Sequence, residues 1–239
     1  MSHVKNMQAF GKLTGVCTGL GGTYNPGQQN LQANAMAAQL NIAQQVWEEV
    51  KEAQKAYDNA TNNRELGFSK IRKLSSSVYG LLKAGKANPL LLNDAQTAKR
   101  KIWGSRISKP PAVEKDKVPE VKPATRPSYG QSYLTVAEYF DQLVKTAASE
   151  PGYRPNEPEL RLDSLQQTLA ELFHLNAAVR DAEIKLDEAR IKRNTVYYIA
   201  SDNLVDTAAA VKTYVRSVFG FQSQQHQQVQ KLRFIKPNL

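Results

Sequence analysis

Two stretches of the sequence, 129 to 130 residues apart, carry the same order of apolar residues and turn signals. Residues 10–26 read FGKLTGVCTGLGGTYNP and residues 140–155 read FDQLVKTAASEPGYRP, and both contain F-x-x-L followed by Y-x-P. The correspondence continues through paired apolar positions such as Leu31 with Leu160, and SSSVYGLLK later corresponds to AAAVKTYVR. Because the same blocks recur in the same order, the sequence predicts an internal duplication.

Each repeat has the pattern of one short helix followed by a long helical hairpin. Apolar residues recur at intervals of three and four, which is typical of amphipathic helices, and no convincing alternating strand pattern is present. We expect long helices at about residues 29–67 and 159–200, and a terminal helix that begins at Asn93 as its N-cap. The predicted fold is an all-α, internally duplicated helical-hairpin bundle, made of two related units of three to four helices.

A proline-rich segment separates the two repeats. Residues 110–130 contain prolines at 110, 111, 119, 123 and 127, which disfavour a continuous helix and favour an extended tether. The predicted organisation is therefore a first, basic repeat at 1–109, a linker at 110–130, and a second, neutral to acidic repeat at 131–239.

The glycine-rich stretch near the start of the chain has the residue types of a binding loop. A phosphate-binding loop needs G-x-x-x-x-G-K-[ST], but Asn6 stands at the first glycine and Leu13 at the hydroxyl position. The second repeat has only Gly152 in the equivalent region, so the shared requirement is a break between two helices. We interpret the stretch as a connection and not as a site.

The residues that usually carry catalysis are sparse. The three histidines are His3, His174 and His226, and the single cysteine, Cys17, has no histidine close to it in sequence. Glu171 and His174 form one E-x-x-H motif, whereas a di-iron bundle needs two such motifs and two more glutamates. The sequence therefore predicts no catalytic, cofactor or metal site, and a protein that is not an enzyme.

Charge is distributed unevenly along the chain. The net charge is +10, and residues 64–109 contain eleven Lys and Arg but only two Asp or Glu. Residues 131–190 contain eleven acidic and six basic residues. Part of the basic excess suits the C-termini of helices, where positive charge stabilises the helix dipole. The remainder predicts a surface that binds a negatively charged partner.

Two functions fit this charge distribution. The first is a structural scaffold that self-assembles head to tail through its basic and acidic halves, since such heterologous contacts form rings or filaments. The acidic partner face would contain Glu183, Asp187 and Glu188. The second is non-specific binding of nucleic acid or another polyanion by a basic arm, residues 64–109, in which Tyr79 and Trp103 are interleaved among the cations. The candidate contact residues for either function are Lys70, Arg72, Lys73, Lys83, Lys86, Lys99, Arg100, Lys101 and Arg106.

Composition limits the compartment. No run approaches the roughly 18 apolar residues of a membrane-spanning helix, and the N-terminal residues lack the apolar core of a signal peptide. One cysteine leaves no intramolecular disulfide. We expect a cytoplasmic protein whose main partner is a second copy of itself, with nucleic acid as the alternative partner.

Overall fold

The computed structural model describes residues 2–104 and 132–237, and all the regular elements in these two ranges are helical. The prediction of an all-α protein is therefore confirmed. The predicted linker at 110–130 lies outside the described residues. Within those residues, no helix is long and apolar enough to cross a lipid bilayer.

The described part of the chain contains eight α-helices: α1 (Ser2–Gly19), α2 (Ala33–Phe68), α3 (Ile71–Ala84), α4 (Pro89–Trp103), α5 (Tyr133–Ala148), α6 (Leu162–Asn194), α7 (Leu204–Phe219) and α8 (Gln224–Gln230). A 3₁₀ turn lies just before each of the two long helices, at Gln29–Leu31 and at Pro158–Leu160, and a further one follows α1 at Gly21–Thr23. A π-helix at Thr195–Ile199 continues α6. The long helices therefore begin three to four residues later than the periodicity predicts, because a separate 3₁₀ turn and one extended residue, Gln32 or Arg161, precede each α-helix.

The start of α4 differs from the prediction of an N-cap at Asn93. The helix begins at Pro89, and the side chain of Asn88 accepts a hydrogen bond from the Leu90 N–H at 2.9 Å. Proline suits the first helical position because its φ angle is already helical and it has no N–H to leave unpaired. Asn93 lies inside the helix, one turn after the true cap.

The chain divides into two compact units, each with its own buried core. We call Met1–Tyr57 with Ala182–Leu239 the terminal unit, and Asp58–Asp181 the central unit. The core of the terminal unit is formed by α1, the first part of α2, the π-helix, α7 and α8. Its largest fully buried side chains include Phe10, Leu13, Met36, Tyr197 and Leu204. Each such apolar side chain contributes about 1.5 to 3 kcal/mol by its burial.

The core of the central unit is formed by α3, α4, α5 and parts of the two long helices. Phe140, Leu143 and Ile102 are fully buried there, together with Leu165 and Leu172 of α6. Helix α4 packs against both α3 and α5. The buried side of α4 consists of Ala95, Ala98 and Ile102, and the small alanines allow the neighbouring helices to approach closely.

The two compact units and the two predicted repeats are different divisions of the chain. The terminal unit combines the first half of residues 1–109 with the second half of residues 131–239, and the central unit combines the remaining halves. The unit boundaries fall inside α2 and inside α6, because each of these helices is long enough to contribute to two cores.

Corresponding positions in the two predicted repeats share the same pattern of solvent exposure and a corresponding tyrosine hydrogen bond. Residues 8–20 and 138–150 show the same order of buried, half-buried and exposed positions. The hydroxyl of Tyr24 donates a hydrogen bond to the Leu31 carbonyl at 2.7 Å, and the hydroxyl of Tyr153 donates to the Leu160 carbonyl at 2.8 Å. The Y-x-P turn thus closes on the 3₁₀ turn in the same way in both halves of the sequence.

Candidate functional site

Helices α3 and α4 bring together several of the basic residues singled out in the sequence. Both helices bury an apolar stripe, with Ile71, Val78 and Leu82 on α3. The sides of the two helices that face away from this core carry the cations. Arg72 and Arg100 are exposed and Lys99 is half-buried. Since these residues stand on helices anchored by a core, their backbones are fixed relative to one another.

A cleft of about 400 Å³ lies between α3 and α4. Its lining is Ser76, Tyr79, Gln96, Lys99, Arg100 and Trp103. The spacing follows from helical periodicity, because positions 76 and 79 share one side of α3 and positions 96, 99, 100 and 103 share one side of α4. The described residues around the cleft thus supply two cations, two aromatic rings, an amide and a hydroxyl, with no carboxylate among them. We call it the acid-free cleft.

Trp103 is held at the edge of this cleft by hydrogen bonds to α3. Its indole Nε1–H lies 3.2 Å from the Arg72 carbonyl oxygen and 3.2 Å from the Ser76 hydroxyl oxygen. The side chain nevertheless remains 45% exposed. Gly104, with φ of 74°, ends α4 directly after the tryptophan and accommodates the left-handed conformation that favours glycine. The indole therefore has a defined orientation and a solvent-accessible surface.

Cations lie over aromatic rings at four places in the described part of the central unit. Lys99 Nζ is 4.9 Å from the centroid of the Tyr79 ring, and Arg72 Cζ is 6.0 Å from that of the Trp103 ring. The other two pairs are Lys101 with Tyr139 and Arg64 with Tyr133, at 4.7 and 4.4 Å. A cation–π contact restrains a side chain without neutralising it, so these cations keep their charge for a partner.

The basic residues around the cleft have no acidic partner in the described part of the chain. Arg72, Lys99 and Arg100 form no ion pair with a carboxylate there, whereas ion pairs are present elsewhere, such as Lys192 with Glu49 at 2.7 Å. Unpaired cations on a common surface create a positive potential that attracts anions.

Among the described residues, Lys70, Lys73, Lys83 and Lys86 do not line this cleft. Lys70 and Lys73 line a second cleft of about 590 Å³, which Glu159 and Glu171 also line. Lys83 and Lys86 are exposed near the C-terminal end of α3, and Arg106 lies outside the described residues. The eight described residues of the predicted cluster therefore belong to at least three different surroundings.

The predicted acidic face lies on α6 and is mixed with cations. Glu183, Asp187 and Glu188 are all exposed. Asp187 accepts a hydrogen bond from Arg190 Nη1 at 3.1 Å, so one of its two oxygens is already engaged within the helix. This surface is less uniformly charged than the sequence run suggests.

A polar network in the terminal unit was missed by the sequence analysis. The Asn6 side chain, which is fully buried, donates to the Ile235 carbonyl at 2.7 Å and accepts from the Ile235 N–H at 2.9 Å. The Tyr198 hydroxyl lies 3.2 Å from Asn6 Nδ2 and 2.9 Å from His3 Nδ1. This network fixes the C-terminal segment on α1, and its members lie too far apart in sequence to give a motif.

Burial in the terminal unit changes the acid–base properties of His3 and of two other side chains, Tyr197 and Cys17. Desolvation is the main cause that lowers the pKa of His3 to about 4, and the charge of Arg193 acts in the same direction. Burial likewise raises the pKa of Tyr197 to about 12. Cys17 is buried, and burial raises the pKa of its thiol.

Comparison with known protein families, with curated proteins and with solved structures gives no match to this chain. Within residues 2–104 and 132–237, no group of three or more His, Cys, Asp or Glu side chains is arranged to hold a metal ion.

The lowered pKa of His3 predicts a specific loss of stability in weak acid. The unfolded chain binds a proton at His3 below about pH 6.5, whereas the folded chain stays neutral there until about pH 4. Stability from this residue is therefore complete above pH 6.5 and is lost as the pH falls toward 4. Thermal unfolding followed by circular dichroism should show a shallower decrease between these pH values for His3→Gln than for the wild type.

The control is His174→Gln, which removes an exposed imidazole from α6. Its pH dependence should follow that of the wild-type protein. Parallel curves for the wild type and His3→Gln would show that His3 does not couple folding to pH.

Proposed function

We propose that this chain binds a polyanion, with nucleic acid as the ligand class, through the α3–α4 surface of the central unit. The observation that carries the proposal is the acid-free cleft, in which Lys99 and Arg100 stand beside Tyr79 and Trp103. Lysine and arginine that contact phosphates release condensed counterions, and this release drives non-specific binding to nucleic acids. Function by binding, and not by catalysis, also fits a chain whose single thiol is buried.

The fixed geometry of the cations supports this function. Lysine and arginine side chains carry about 2 kcal/mol of rotamer entropy, part of which is lost when they bind. Contact with Tyr79 restrains Lys99 before any ligand arrives. Restraint of this kind reduces the entropy cost of the contact with a phosphate.

The first test is the salt dependence of binding for Lys99→Gln/Arg100→Gln. Fluorescence anisotropy with a labelled oligonucleotide should show a wild-type affinity that falls steeply with salt. The double variant should bind about tenfold or more weakly near 0.1 M salt, and its log–log slope should be smaller by about one to two. The slope decreases because each lost phosphate contact removes one released counterion.

The matched control is Lys5→Gln/Lys12→Gln, which removes the same charge from exposed positions of α1. This control should retain most of the wild-type affinity and slope. Equal losses in the two double variants would show a response to net charge alone and would contradict a site on α3–α4.

Self-assembly is a second proposal that the charge layout supports. Within the described residues, Glu183 and Glu188 on α6 are exposed and form no ion pair. They are therefore available to contact the basic side chains of α4 in a second copy. The variant Lys99→Glu/Arg100→Glu/Lys101→Glu should then remain monomeric in light scattering after nuclease treatment. Mixing it with Glu183→Lys/Asp187→Lys/Glu188→Lys should restore larger assemblies, and a wild-type protein that is monomeric at low salt would contradict this proposal.

We also propose that the chain arose by duplication of a helical unit, with residues 110–130 as the tether between the repeats. The matching burial order at 8–20 and 138–150 and the equivalent hydrogen bonds of Tyr24 and Tyr153 support this origin. After duplication, the two copies diverged in charge, since residues 64–109 are strongly basic and residues 131–190 carry an excess of acids.

A further inference from the structure

We infer that the acid-free cleft accepts an unpaired nucleotide, so that the ligand is single-stranded and not duplex nucleic acid. This inference rests on the proposed polyanion binding and names its substrate class. The juxtaposition that carries it is the half-exposed indole of Trp103 with the cations Lys99 and Arg100 and the amide of Gln96, around one cleft.

The cleft has the size and lining that a nucleotide needs. Its volume of about 400 Å³ lies in the range of small-ligand pockets. A phosphate would contact Lys99 and Arg100, and a base would stack on an aromatic ring, as bases do in single-strand-binding proteins. A duplex offers the same phosphates, but its base faces are stacked inside the helix and cannot reach a ring that lines a cleft.

Trp103 is the aromatic ring of the cleft that is available to stack on a nucleotide base. Lys99 occupies a position over the Tyr79 ring, so Tyr79 serves mainly to support this cation. Arg72, the cation near the indole, is 6.0 Å from its centroid and does not line the cleft. The two hydrogen bonds of the indole N–H fix the ring plane, so its orientation costs no further entropy on binding.

Gln96 provides a hydrogen-bonding group beside the stacking ring. Its side chain is half-buried, and its amide has no hydrogen-bond partner in the part of the chain that the structure describes. An amide can both donate to and accept from the edge of a base. An unpaired base exposes its pairing edge to such a group, whereas a paired base does not.

The second cleft of the central unit is unsuited to the same ligand. Glu159 and Glu171 line it together with Lys70 and Lys73, so a phosphate there would be close to negative charge. A strand is therefore directed to the acid-free cleft, and the exposed Arg72, whose guanidinium lies near the Trp103 indole, can contact a neighbouring phosphate. This flanking cation favours a polymer over a free mononucleotide.

The decisive experiment compares ligands that share phosphate charge and differ in their bases. Anisotropy at fixed salt would be measured for the wild-type protein with a 12-nucleotide oligothymidine, the same backbone with abasic sites throughout, and a 12-base-pair duplex. The oligothymidine should bind about tenfold more tightly than either of the others, because stacking on Trp103 is available only to unpaired bases. Use of the wild-type protein removes any concern about misfolded variants.

The variant Trp103→Ala identifies the stacking ring. It should lower the affinity for oligothymidine about tenfold and change the affinity for the abasic strand less than twofold. Trp103→Phe should retain part of the affinity because it keeps a ring at that position. Circular dichroism melting would check that α4 remains folded, and in a Trp47→Phe background the emission of Trp103 should be quenched by oligothymidine.

The outcomes separate the two levels of the proposal. Equal, salt-dependent binding of all three ligands, unchanged in Trp103→Ala, would overturn the single-strand inference and retain polyanion binding. Absence of binding to every one of the three at low salt would overturn both.

Discussion

The packing of α4 against α3 and α5 is the constraint on which the candidate site depends. Ala95 and Ala98 present almost no side chain to the interface, so the helices can approach closely, and Ile102 completes the buried side. Once this side is buried, helical periodicity forces Gln96, Lys99, Arg100 and Trp103 away from the centre of the core. The hydrogen bonds from Trp103 to α3 then join the two helices across the outer surface. Larger residues at the alanine positions would separate the helices, and the cleft between α3 and α4 would no longer form.

The lengths of α2 and α6 determine which segments of the chain form each compact unit. A helix of 33 to 36 residues is longer than a single small core requires, so its two parts can be buried in different cores. Each unit consequently contains segments from both predicted repeats. The hydrogen bonds between the buried Asn6 side chain and the Ile235 backbone also connect distant segments, since they join α1 to the C-terminal segment within the terminal unit.

Sequence periodicity predicted the helical class and the alternation of short and long helices. Periodicity also indicates that the basic cluster is divided. Arg72, Ser76 and Tyr79 lie on one face of α3, whereas Lys70 and Lys73 lie on a different side. What the sequence did not indicate is which faces meet. The pairing of α3 with α4 around a cleft, and the presence of Glu159 and Glu171 beside Lys70, depend on tertiary contacts. No sequence motif marks Asn6 as part of a buried network, because Ile235, the residue whose backbone it hydrogen-bonds, is 229 residues away.

We propose that a nucleic acid strand contacts the α3–α4 surface at Trp103. Photo-crosslinking of the wild-type protein to an oligonucleotide that contains 5-iodouracil, followed by mass spectrometry of the peptides, tests this claim most directly. Our account predicts crosslinks in the peptides that contain Tyr79 and Trp103, with few on α1 or α7. Crosslinks concentrated on the terminal unit, or spread in proportion to surface lysine, would contradict it.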